Sequence, residues 1–183
     1  PDILYRNRAG NSFTDIFPKI KNISTESMCG RGVSTGDFDN DGIADIYVCN
    51  YRLDPNYLLS NDGSTFSNIA SGSGAQGRQS SGYYGHSIGA DAADYNNDGT
   101  LDLFVCNLAH PWGLGYSDKS MLLDNRDSVD LLFVNNFEQS GVAYDETHSD
   151  PSWGDIDNDG DVDLFLTSVY QGVKSHLHQN EQG

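Results

Sequence analysis

Three nine-residue stretches carry the chemistry of this chain: Asp37–Asp45 (DFDNDGIAD), Asp94–Asp102 (DYNNDGTLD) and Asp155–Asp163 (DIDNDGDVD). Each sets oxygen-bearing side chains at positions 1, 3, 5 and 9 around a glycine at position 6. That pattern suits a hard cation. Calcium takes six to eight oxygens at about 2.3–2.6 Å, and a tight loop supplies them from alternate residues plus a backbone carbonyl. Gly42, Gly99 and Gly160 fall where the chain must turn sharply, and are expected at positive φ. Without a cation, carboxylates ~5 Å apart repel by roughly 3 kcal/mol per pair at an effective dielectric near 20. Magnesium fits less well, because it keeps its waters and avoids all-protein cages. Solvated Asp-Asn-Gly hairpins have similar composition, but three copies that each keep the ninth-position Asp favour the cation.

An EF-hand loop also opens D-x-D-x-D-G, but it ends on Glu at position 12 and lies between helices. Here position 12 is Val48, Val105 or Leu166, within the short apolar runs DIYVCN, DLFVCN and DLFLTS. Runs of this length and composition are buried strands, so each loop joins strand to strand.

The loops begin at 37, 94 and 155, spacings that mark a repeat architecture. A second phrase recurs between them: ILYRN (3–7), YLLSN (57–61), MLLDN (121–125) and HLHQN (176–180). A third follows a polar turn: FTDI (13–16), FSNI (66–69) and, loosely, FVNN (133–136). One unit therefore reads strand, cation loop, strand, connection, strand, tight turn, strand. Four antiparallel strands per unit is the make-up of a propeller blade.

These units resemble FG-GAP/VCBS-type repeats, the calcium-carrying blades of integrin α-subunit propellers. They are most similar to secreted proteins of the cartilage acidic protein and ASPIC/UnbV kind, in which an LYRN-turn-F-x-D phrase alternates with GD-x-D-N-D-G-x-x-D-L. The resemblance implies an all-β fold, β-propeller blades of four antiparallel strands with calcium-binding hairpin loops. It implies side-chain ligands Asp37, Asp39, Asp41 and Asp45; Asp94, Asn96, Asp98 and Asp102; and Asp155, Asp157, Asp159 and Asp163, with the carbonyls of Ile43, Thr100 and Asp161 completing three Ca2+ sites. Asn96 replaces a carboxylate, so the second site is expected to bind more weakly.

The chain is expected to form one propeller segment: a partial blade over 1–28, blades over 29–70 and 82–138, and a partial blade over 148–183. Two complete blades do not close a ring. The chain is therefore either a window from a longer propeller or completes its end blades with other copies. The lack of an initiator Met at Pro1 also favours a processed or excised segment.

There are 27 acidic against 10 basic residues, a net charge of −17. Such a surface repels nucleic acid and anionic membrane, and no stretch is long and apolar enough for membrane insertion. Calcium loops fill where calcium is abundant, so an extracellular or secreted protein is expected. Cys49 and Cys106 hold equivalent strand positions and read as small buried hydrophobes, whereas Cys29 lies in a connection and is open to pairing. Asn22-Ile-Ser24 is a glycosylation sequon.

In the resembled propellers the cation loops share one face and the longer connections the other. The connections 17–30, 71–86, 108–119, 137–149 and 168–174 carry Tyr83, Tyr84, His86, His110, Trp112, Tyr116, Tyr144, His148 and Tyr170. Such side chains cover blade edges, or stack on a sugar or anchor a protein. The Leu108–Lys119 insertion favours binding, since extra irregular length is more often functional. His176 and His178 alternate on one strand and read as ordinary strand surface.

The function expected is a calcium-binding, non-catalytic module for adhesion, recognition or assembly, its partner a protein or carbohydrate. Two alternatives are a polysaccharide lyase or sugar-binding lectin on the same scaffold, and a filament subunit self-assembling through its end blades. A glycosidase needs two unliganded carboxylates across a cleft, and most clustered acids are committed to loops. A lyase would draw on His86, His110, His148 or Tyr84, which nothing in the sequence pairs.

Overall fold

The computed structural model describes residues 3–10, 12–23, 29–77, 83–108 and 118–181. Ser24 of the sequon, and His110, Trp112 and Tyr116 of the 108–119 insertion, lie outside them. The described residues form thirteen strands: β1 (Tyr5–Asn7), β2 (Phe13–Asp15), β3 (Cys29–Gly36), β4 (Asp45–Tyr51), β5 (Tyr57–Asn61), β6 (Phe66–Asn68), β7 (Ser87–Ala93), β8 (Asp102–Asn107), β9 (Met121–Asn125), β10 (Phe133–Asn135), β11 (His148–Gly154), β12 (Asp163–Ser168) and β13 (His176–His178). The described residues are all-β and form four separate antiparallel sheets. β1–β2 is a pair, β3–β4–β5–β6 and β7–β8–β9–β10 are four-stranded meanders, and β11–β12–β13 is three-stranded. One short helix, Ala70–Ser73, follows β6 where sequence patterning gives only a connection.

Successive sheets stack face to face through their first strands, with β3 and β4 against β7, and β7 and β8 against β11. This explains why β8 (DLFVCN) is apolar on both faces. Leu103 and Val105 join Tyr47, Cys49 and Leu58 of the preceding sheet in one core, while Phe104 and Cys106 join Leu164 and Leu166 of the following sheet in another. Each such buried side chain contributes about 1.5–3 kcal/mol relative to exposure. The first strands approach so closely that a Cβ at Gly32 would collide with the Ile88 carbonyl, and one at Gly89 with the Ser149 carbonyl. The glycines are a packing requirement.

The residues flanking the exposed β1–β2 pair pack on the first meander, with Leu4 and Phe17 against the cluster of Ile20, Tyr57 and Leu59. Antiparallel order puts the β3–β4, β7–β8 and β11–β12 loops at one end of the stack, and the connections between second and third strands at the other. There, equivalent residues tie each connection down. Asn50 Nδ2 donates to Pro55 O (2.7 Å), Asn107 Nδ2 to Lys119 O (2.7 Å) and Ser168 Oγ to Lys174 O (3.0 Å). No described helix is long and apolar enough to cross a membrane.

Candidate metal centres

Each acidic stretch leaves the first strand of its sheet, turns, and re-enters on the second. In the first loop, Asp41 N–H lies 3.0 Å from Asp37 Oδ1 and 3.2 Å from Asp39 Oδ1, and Gly42 N–H donates to Asp37 Oδ2 at 2.8 Å. The same three bonds recur in the second loop at 3.0, 3.0 and 2.9 Å and in the third at 3.2, 3.3 and 3.2 Å. The residue after the glycine also donates its N–H to the fifth-position carboxylate: Ile43 at 2.7 Å, Thr100 at 2.9 Å and Asp161 at 3.0 Å. The loop's own amides therefore hold the carboxylates in place and offset part of their repulsion.

The backbone twists twice to do this. The glycines adopt φ 86°, 89° and 102°, as their position requires, and the fourth-position residues Asn40, Asn97 and Asn158 adopt φ 56°, 55° and 63°. Asparagine tolerates that left-handed region better than other side chains. The invariance of this Asn across the three loops was the available signal for a second left-handed residue.

The donor set is all oxygen. In the first loop Asp37, Asp39 and Asp41 each offer one oxygen, and all three lie within 4.8 Å of one another; Asp155, Asp157 and Asp159 do the same in the third. Oxygens gathered this closely lie within reach of one hard cation. In the second loop Asn96 Oδ1 accepts Asp98 N–H as its carboxylate counterparts do, turning a neutral oxygen inward. Burial alone would raise Asp98, but hydrogen bonds from the Thr100 hydroxyl and N–H outweigh it and hold the carboxyl below its usual range. Burial, with Asp41 and Asp37 nearby, raises Asp39 against a bond from Asp41 N–H.

The ninth-position residues differ from the rest. Asp45, Asp102 and Asp163 are fully buried. Each carboxylate spans two backbone amides, one from loop position 2 and one from the last residue of the third-strand phrase. Asp45 accepts from Phe38 (3.2 Å) and Asn61 (2.8 Å), Asp102 from Tyr95 (3.3 Å) and Asn125 (2.7 Å), and Asp163 from Ile156 (2.9 Å) and Asn180 (2.9 Å). Burial pushes Asp45 up to about 6, helped by Asp39 and Asp41 and opposed by the two N–H bonds. It pushes Asp102 up to about 7, helped by Asp124 and Asp98.

Elsewhere, one expectation is corrected. His148 does not belong to an open connection. It begins β11, is fully buried, and its Nδ1 lies 3.2 Å from Ser120 Oγ. Register explains this: its side chain shares the Leu164/Leu166 face that packs on the second meander. Tyr83, Tyr144 and Tyr170 are exposed at the connection end. His176 and His178 share a face, with rings 6.0 Å apart. Cys29, Cys49 and Cys106 are free thiols, and burial pushes the latter two well up. Gln179, which sequence reading did not single out, donates to Asp157 Oδ2 at 3.0 Å.

No curated protein sequence matches the chain. A family model of the FG-GAP-like repeat matches residues 1–48 and again residues 37–105, the two matches overlapping over the first loop and the start of β4. With repeated strand-loop-strand units in sheet after sheet, the chain belongs to the FG-GAP-like repeat family.

Proposed function

We propose that the chain is a calcium-binding β-propeller module acting outside the cell in adhesion, recognition or assembly, without catalysis. The observation that carries this reading is the threefold repetition of one loop geometry, its oxygens gathered within a cation's reach in the first and third copies. The ligands are the residues at positions 1, 3, 5 and 9, with the carbonyls at position 7. A bound ion joins the two strands that each loop connects, and so stiffens the sheet. Each site at tenfold excess of calcium over its Kd adds roughly 1.4 kcal/mol to stability. The sheets act as blades, and the stacked first strands as their inner edges. The narrower likeness to the cartilage acidic protein and ASPIC/UnbV kind rests on the LYRN and F-x-D phrases at 4–7 and 13–15.

The exposed tyrosines at the connection end are the candidate surface for a protein or carbohydrate partner. The experiment is thermal unfolding of the chain with calcium and with a chelator. A melting temperature that rises with calcium and returns on chelation supports the proposal, and one indifferent to both overturns it.

A further inference from the structure

The third-strand asparagines do more than end a strand. Asn125 donates its backbone N–H to Asp102 Oδ1 of its own loop (2.7 Å) and its side-chain Nδ2 to Phe38 O of the preceding loop (2.9 Å). Phe38 N–H in turn donates to Asp45 Oδ2. Asn180 repeats the arrangement one sheet later. Its N–H is on Asp163 Oδ1 (2.9 Å) and its Nδ2 on Tyr95 O (2.8 Å), while Tyr95 N–H is on Asp102 Oδ2 (3.3 Å). One unbroken hydrogen-bonded line thus runs from Asp45 through Asp102 to Asp163. Asn61 does not extend it, because its Nδ2 turns back onto Ala44 O beside its own loop (3.0 Å).

We propose that Asn125 and Asn180 couple the three loops, so that a cation entering one alters the affinity of the next, with the second loop as the hub. This inference rests on the calcium reading above. Residue 2 of the first and second loops is gripped at both ends: the N–H preceding its Cα by the ninth carboxylate of its own loop, the carbonyl following it by the asparagine of the next. A cation that draws on a ninth-position oxygen competes with that N–H, and residue 2 cannot shift without disturbing the asparagine on its carbonyl. The asparagine's own amide is fixed to the next ninth carboxylate. Two rigid peptide planes and buried polar groups leave little slack to absorb the shift, and a shared element biased by both sites is what coupling requires. A second contact between loop rims, Asn40 Nδ2 to Gly99 O (3.2 Å) and Asn97 Nδ2 to Asp161 Oδ1 (2.7 Å), runs parallel at the surface.

The test is a calcium titration of the isotopically labelled full chain, reading the amide resonances of Gly42, Gly99 and Gly160 as reporters of the three loops. Asp39→Ala, which disables the first loop, is expected to weaken filling at Gly99 about fivefold, the low end of typical coupling. Adding Asn125→Ala should erase that effect. If Asn125→Ala does not fold, Asp157→Ala with Asn180→Ala, just beyond the edge strand β13, provides the same comparison from the third loop. A Gly99 curve unmoved by either loop substitution, while the other loops still fill, overturns the coupling and leaves the calcium reading intact. Coupling that survives Asn125→Ala but disappears in Asn40→Ala overturns the assignment to the buried asparagines. If none of the three resonances responds to calcium in the unsubstituted chain, the calcium reading fails and this inference with it.

Discussion

The front and the back of each acidic loop use the same residue for opposite purposes. At the front, Asp37, Asp39 and Asp41 and their counterparts are half-buried to exposed, with their carboxylates held by bonds local to the loop. At the back, Asp45, Asp102 and Asp163 are fully buried and reach across 16, 23 and 17 residues to the third strand. The front gathers negative charge in one turn. The back is an anchor for two amides that would otherwise be left unsatisfied.

Substitution at the back should break this contrast most severely. Asp102→Ala strips the buried Asn125 N–H and the half-buried Tyr95 N–H of their acceptor, and a buried orphaned group costs about 1–3 kcal/mol. Urea unfolding should show a loss of about 3 kcal/mol or more, in chelator as well as in calcium. Removing calcium from the intact chain comes next, at roughly 1.4 kcal/mol per site for each site at tenfold saturation, read as a fall in melting temperature. Asp157→Ala, at the exposed front of the third loop, should change the stability of the metal-free chain by no more than about 0.5 kcal/mol while reducing the ions bound from about three to two.

Proton linkage adds a second test at Asp45 and Asp102. Asp45 and Asp102 have folded pKa values of about 6 and about 7, above the unfolded aspartate value of about 4. Their folded state prefers the proton, so the stability they contribute is full below pH ~4 and is lost as pH rises through 6 and 7. The metal-free chain should therefore unfold at higher urea at pH 5.5 than at pH 7.5. Calcium, which needs the carboxylates ionised, should reverse the order. The smallest effect expected is Asn96→Asp, which supplies a fourth carboxylate to the second loop and should tighten that site most.

Features written within a dozen residues were legible from the sequence. The loops, their positive-φ glycines and the strands on either side follow from alternation, apolar runs and turn residues, and they lie where that pattern puts them. The third-strand phrase was visible as a repeat, but the purpose of its last residue was not. Asn125 meets Phe38 and Asn180 meets Tyr95 across separations of 87 and 85 residues, and local spacing carries no record of which sheet packs on which. The same blindness hid the close approach at Gly32 and Gly89, and put His148 in a loop when its strand register buries it.

The most direct measurement is calorimetric titration of calcium into the chelator-stripped chain. The account predicts saturable binding of about three ions per chain, the second loop weakest, falling to about two in Asp157→Ala. The absence of saturable heat, or a stoichiometry unchanged by that substitution, would contradict it.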